Sequence, residues 1–229
     1  MKLHEKIADT IRNEGARFNA NDNISKYIHP DEISYLIDEA AEAFELALKS
    51  LIIDTENDPN TKGTARRLAK MYYNETMGGR YMPPPPVTSF PNNREDDDHY
   101  DGMLVVRAEL NSICSHHFMP VVGVAYIGVL PEEKVIGLSK YIRIARWCAR
   151  RGTLQEALCG DIAREISKAT ESEHVAVYLQ ATHGCVSCRG TGQQNSLTQT
   201  TVLKGDFKNP DVKKEFFDNI ALQEGYSRK

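Results

Sequence analysis

The stretch from Asn111 to Pro120 reads N-S-I-C-S-H-H-F-M-P and packs Cys114, His116 and His117 into four positions. Far downstream, Ala181 to Gly190 reads A-T-H-G-C-V-S-C-R-G and gathers His183, Cys185 and Cys188. Thiolate and imidazole are the ligand types zinc prefers, and two sites fit the spacing. Cys114 and His117 with one cysteine of the second stretch give three protein ligands and an open fourth position, as in catalytic zinc. Cys114, His117, Cys185 and Cys188, read as C-x2-H with C-x2-C, give a closed structural site instead. If the second stretch continues as a strand, His183, Cys185, Ser187 and Arg189 share one face and Cys188 takes the other. His116 and His183 are then spare imidazoles, useful beside a reactive metal and idle beside a structural one. The bland alternative is that the cysteines are small buried hydrophobes.

Two other clusters carry chemistry. Ser139, Lys140 and Arg143 fall at helical spacing behind Gly137-Leu138. A helix N-terminus with lysine and arginine holds phosphate well, although a solvated basic face accounts for the same residues. Gln155 and Glu156 open a further predicted helix. A carboxylate there complements the helix dipole, and the pair also suits the polar edge of a purine.

Composition sets the frame for these motifs. With 41% hydrophobic and 26% charged residues among 229, the chain is an ordinary globular one. Its net charge of -4 leaves no broad basic surface, so no nucleic-acid partner is expected. No apolar run is long enough to span a membrane, and M-K-L-H-E-K-I-A-D is too charged for a secretory signal. Five cysteines, an odd number, argue for reduced thiols or metal ligands over a disulfide framework. The expected location is cytoplasmic.

The elements that must position the motifs can be read in order. Residues 1–29 form an N-terminal extension, with a short helix over 3–14 and a polar loop after it. Residues 30–80 form a helical region. Pro30, Asp31 and Glu32 start a helix that runs to about Leu51. The segment D-T-E-N-D-P-N breaks it. Thr64 is expected to cap a second helix, Ala65–Glu75, which carries Arg66, Arg67 and Lys70 and ends at Gly78-Gly79. Residues 81–229 form the catalytic region of the same single domain. Pro83 to Pro86 must be extended, and Asp96, Asp97 and Asp98 read as a solvated loop. Strands are expected from Met103 to Cys114 and from Val121 to Leu130. Helices follow at Leu138–Ala149 and Thr153–Glu171, the latter capped by Thr153. Strands return at 174–186 and 195–207, and a short helix ends the chain. The order β-β-α-α-β-β predicts an α+β fold: an antiparallel sheet with the helices on one face.

Together the motifs resemble the GTP cyclohydrolase I family of the tunnelling-fold superfamily. The likeness is carried by C-S-H-H-F-M-P, I-G-L-S-K-Y-I-R-I, L-Q-E and A-T-H-G-C-V-S-C-R-G, supported by T-A-R-R-L-A-K-M-Y, F-P-N and L-K-G-D-F. It runs from about residue 30 to the C-terminus. The resemblance implies Zn2+ held by Cys114, His117 and Cys185, with His116 and His183 moving protons. It implies Ser139, Lys140, Arg143 and Arg189 around a triphosphate, with Arg67 and Lys70 reaching it from a neighbouring subunit. Gln155 and Glu156 match the guanine-recognition pair. The implied partners are GTP and further copies of the chain, in an oligomeric barrel of ten subunits with active sites at the interfaces. The implied reaction opens the imidazole ring of GTP at C8, releases formate and closes a new ring to 7,8-dihydroneopterin triphosphate. Four positions depart from the commonest pattern: Ser115 for glutamate, Gly152 for proline, Gly184 and Cys188. Two alternatives stand beside this reading. One is a zinc hydrolase that only opens or deformylates a purine-derived or pterin substrate. The other is a non-catalytic purine- or pterin-binding protein with a closed zinc.

Overall fold

The computed structural model describes residues 1–92 and 99–227, so the acidic run Asp96–Asp98 lies outside the described residues. The chain divides into two compact units: Met1–Pro83 with Arg150–Gly152, and Pro84–Ala149 with Thr153–Lys229.

The first unit is helical. Helix α1 (Leu3–Asn13) turns Ile7 and Ile11 onto Ile24, Ile28 and Leu36. Each such side chain contributes about 1.5–3 kcal/mol when fully buried. Glu39 of α2 (Ile33–Ser50) accepts the backbone N–H groups of Leu3 at 2.7 Å and His4 at 3.0 Å, two amides that α1 cannot satisfy internally. Burial raises the Glu39 pKa, but these two amides and the His4 ring outweigh it and bring it down to about 2. Helix α2 ends in a Schellman motif, with Ile52 N–H on Lys49 O at 2.9 Å and Ile53 N–H on Leu48 O at 3.2 Å. Ile52 takes the left-handed position of that motif, at φ 61°.

The next helix differs from expectation. Helix α3 (Thr64–Lys70) has Gly63, at φ 77°, in the cap position. Thr64 is its first residue, and its hydroxyl accepts Arg67 Nη2 at 2.7 Å instead of capping. The helix widens into a π-helical turn, Met71–Thr76. Gly78 and Gly79 then begin α4 (Gly78–Tyr81) and are buried. The Gly79 carbonyl accepts from Asn23 Nδ2 at 2.9 Å and from Arg151 Nε at 3.2 Å. Gly152 is packed tightly: a Cβ there would lie 3.2 Å from the Ala20 Cβ.

The second unit is the α+β part. Strands β1 (Ser89–Pro91) and β4 (Lys134–Ile136) pair as a small antiparallel ribbon. The main sheet holds β2 (Leu104–Cys114), β3 (Pro120–Val129), β6 (Val175–His183) and β7 (Thr198–Leu203) side by side, every pair antiparallel. The two-residue β5 (Gly152–Thr153) lies along the outer edge of β2. Helices α5 (Leu138–Ala149) and α6 (Gln155–Thr170) link β3 to β6. Strand alternation sends Ala125, Ile127, Val129, Val175, Val177 and Leu179 to one face. There they meet Ile144, Cys148, Leu158, Ile162 and Ile166 of the two helices, all buried.

The tail corrects the expectation of helices on a single face. It forms an 18-residue helix, α8 (Pro210–Ser227), against the opposite face of the sheet. Phe207, Phe216 and Ile220 pack there on Tyr126 and Ala176, whose side chains alternate away from α5 and α6. The second face is apolar enough to need this cover. Helix α6 also starts two residues later than expected, because Thr153 belongs to β5 and Leu154 occupies the cap position.

Candidate metal centre and active site

The centre forms at the end of the sheet where β2 and β6 finish. Cys114 is the last residue of β2, and the chain turns back at once. Phe118 N–H donates to Cys114 O at 2.8 Å, and Cys114 N–H donates to Met119 O at 2.9 Å. Phe118 closes this turn in the left-handed region, φ 52°, which a bulky side chain rarely occupies. The tight reversal swings His117 back toward Cys114. On the other side β6 stops at His183, and a helical turn, α7 (Gly184–Ser187), carries Cys185 inward. Cys185 packs with Cys114, Val121 and Ala181.

The ligand atoms of Cys114, His117 and Cys185 all lie within 4.8 Å of one another. Zinc–sulfur and zinc–nitrogen bonds of about 2.3 and 2.0 Å place tetrahedral ligand atoms roughly 3.5–3.8 Å apart, so this donor set fits such an ion. Burial pushes the Cys185 thiol up, and the adjoining Cys114 thiol pushes it further, against the pull of Arg189. A bound cation would supply the missing charge compensation and displace the thiol protons. Cys188 is exposed and does not join the group. The physical reason differs from the expected strand alternation: residues 184–187 are helical, and Cys188 is the C-cap residue of that turn, its N–H donating to Gly184 O.

His116 and His117 are both exposed, with rings 6.3 Å apart and nearly perpendicular. His183 is half-buried and shares the sheet face of Ala181 and Leu179. Burial lowers its pKa, and the Glu156 carboxylate pulls the other way. Gln155 is buried, with its side-chain carbonyl 2.7 Å from His183 Nε2. Glu156, in the first turn of α6, is exposed. Ser139, Arg143 and Arg189 are exposed too, whereas Lys140 Nζ donates to Pro86 O at 2.9 Å. Arg67 and Lys70 lie on α3 in the first unit, both exposed. Arg67 is tied to its own helix start, donating to Lys62 O and Asn60 O as well as to Thr64. Sequence reasoning missed Ser112, whose buried hydroxyl has no partner among the described residues. It sits two residues before Cys114, so strand alternation puts both on one face.

A sequence model of GTP cyclohydrolase I matches residues 40–221. The chain belongs to the GTP cyclohydrolase I family. Among its relatives is the GTP cyclohydrolase 1 of Alkalilimnicola ehrlichii, 37% identical over 185 residues, covering 79% of this chain and 98% of that protein. The protein of the same name from Flavobacterium johnsoniae is 37% identical over 180 residues, 78% of each chain. That from Aeromonas hydrophila is 39% identical over 175 residues, 76% of this chain and 78% of that one. The family match begins at residue 40, within α2, so α1 and the loop after it lie outside it. No described helix is long and apolar enough to cross a membrane.

Proposed function

We propose that the protein is a zinc-dependent GTP cyclohydrolase I of pterin biosynthesis, converting GTP and water to 7,8-dihydroneopterin triphosphate and formate. Membership of the family supports the reaction. The observation that carries the site is the approach of the Cys114, His117 and Cys185 ligand atoms to within 4.8 Å, with Cys188 outside the group. Three donors suit zinc with one position left for water. Bound there, zinc supplies Lewis-acid activation for hydrolysis at C8 of the purine.

The chain's own residues do the rest. His183, whose pKa is lowered by burial, accepts a proton, and His116 on the adjoining turn returns one to the departing ring nitrogen. Glu156 accepts the N–H groups of the guanine edge, while Gln155, its partner in the sequence motif, turns inward to His183. Ser139, Arg143 and Arg189 hold the triphosphate, which fixes C8 relative to the metal and contributes through positioning. Lys140 joins them by exchanging the Pro86 carbonyl for a phosphate oxygen. Arg67 and Lys70 serve the triphosphate of a neighbouring copy, in a cytoplasmic homodecamer whose sheets close into a tunnelling-fold barrel.

Zinc-loaded protein given GTP should release formate and yield a pterin that fluoresces after oxidation. Formate without pterin would reduce the reaction to ring opening and deformylation. Release of neither product would overturn the proposal.

A further inference from the structure

Gln155 is only 4% exposed, and every polar atom of its side chain is engaged inside the fold. Its amide nitrogen lies 3.1 Å from Leu179 O on β6, 3.0 Å from Thr198 O and 3.2 Å from Thr200 Oγ1 on β7. Three acceptors surround two N–H donors. Turning the amide over would set its oxygen against two backbone carbonyls, so the nitrogen is fixed on the strand side. The oxygen therefore faces His183 Nε2, at 2.7 Å. A carbonyl oxygen can only accept, so Nε2 must carry the hydrogen, and Nδ1 is the bare nitrogen of the neutral ring.

We propose that Gln155 is a positioning residue that sets the tautomer and ring orientation of His183, and that selection of the purine falls to its exposed neighbour Glu156. This rests on the cyclohydrolase reading for its kinetic consequence, though not for its geometry. Reaching out to a purine would cost Gln155 its bonds to Leu179 and Thr198. Holding His183 costs nothing of the kind. It also ties the start of α6 to both β6 and β7, so the imidazole is aimed by three elements at once.

The test uses zinc-loaded full-length protein and two substrates, GTP and ITP, which differ in the 2-amino group. Gln155→Met keeps the length of the side chain and removes the acceptor. We expect formate release to slow roughly 10–100-fold in kcat, the usual effect of removing an outer-shell partner. KM for GTP and the preference of GTP over ITP should stay as in the unmodified protein. A raised KM with a lost GTP preference and an intact kcat would make Gln155 a purine reader and overturn the proposal. So would no change at all. Should the variant fail to fold, the unmodified protein still decides: with 15N-labelled histidine at about pH 8, where imidazole is neutral, His183 should show Nε2–H and a bare Nδ1. The opposite tautomer overturns the inference. Unmodified protein that gives no formate from GTP would sink the cyclohydrolase reading, and the tautomer alone would then judge the role of Gln155.

Discussion

At the scale of single residues, the metal centre turns on which sulfur atoms face inward. Cys114 and Cys185 face each other and His117, and Cys188 does not join them. Removing one of three ligands should abolish binding, whereas an exposed outsider should be dispensable. Cys185→Ser is therefore expected to lose its equivalent of zinc in metal analysis, and Cys188→Ser to retain it. Loss of metal from both would restore the closed four-ligand site. Ile52 offers a separate test of backbone strain. It is 95% exposed at φ 61°, a β-branched residue where the Schellman motif favours glycine. The left-handed region costs an L-residue about 1–2 kcal/mol. Ile52→Gly should raise stability by about 1 kcal/mol, or roughly 2–4 °C in Tm for a chain of this size. A lowered Tm would mean that the side chain makes a contact that matters more than its strain.

At the scale of elements, the parts with long, regular patterns were legible in the sequence. Strand β2, strand β3 and helix α5 have enough apolar positions for their period to appear, and polar turns bound them. Strands β1, β4 and β5 have three, three and two residues, too few for any period, and pairing alone defines them. The α7 turn was hidden because Cys185, Val186, Ser187 and Cys188 read equally well as strand. The burial of Gln155 was hidden for another reason: its partners Thr198 and Thr200 are 43 and 45 residues away. The docking of α1 was not visible either, because it depends on Glu39 of α2 accepting two orphan amides. That anchor is also sensitive to pH. The folded Glu39 titrates at about 2, below the ordinary carboxylate, so its contribution is present above the unfolded value near 4.3. It is lost as pH falls through the folded value. Hydrogen-exchange protection of residues 3–13 should thus drop between pH ~4 and pH ~2. Glu39→Ala should show low protection throughout; equal protection in both proteins at neutral pH would remove Glu39 as the anchor.

At the scale of the whole molecule, the basic residues fall in both compact units: Arg67 and Lys70 in the first, Arg143 and Arg189 in the second. A single-copy site must draw all of them from one chain, whereas the proposed decamer draws Arg67 and Lys70 from a neighbour. Arg67 is the poorer probe of this difference, because its guanidinium also holds the start of α3. Lys70 is exposed, and reversing its charge should disturb a triphosphate more than the fold. Lys70→Glu and Cys185→Ser are each expected to be nearly inactive alone. Co-expressed in equal amounts, the two chains meet at random in a symmetric oligomer. A site built across two copies then has one chance in two of an intact Lys70 and, independently, one in two of an intact Cys185. About a quarter of the sites should work, and formate release should recover to roughly that fraction of the unmodified rate. If both residues came from the same chain, every site would carry one defect or the other. Recovery near zero in mixed oligomers, checked to contain both chains by mass spectrometry, would put Lys70 in its own subunit's site.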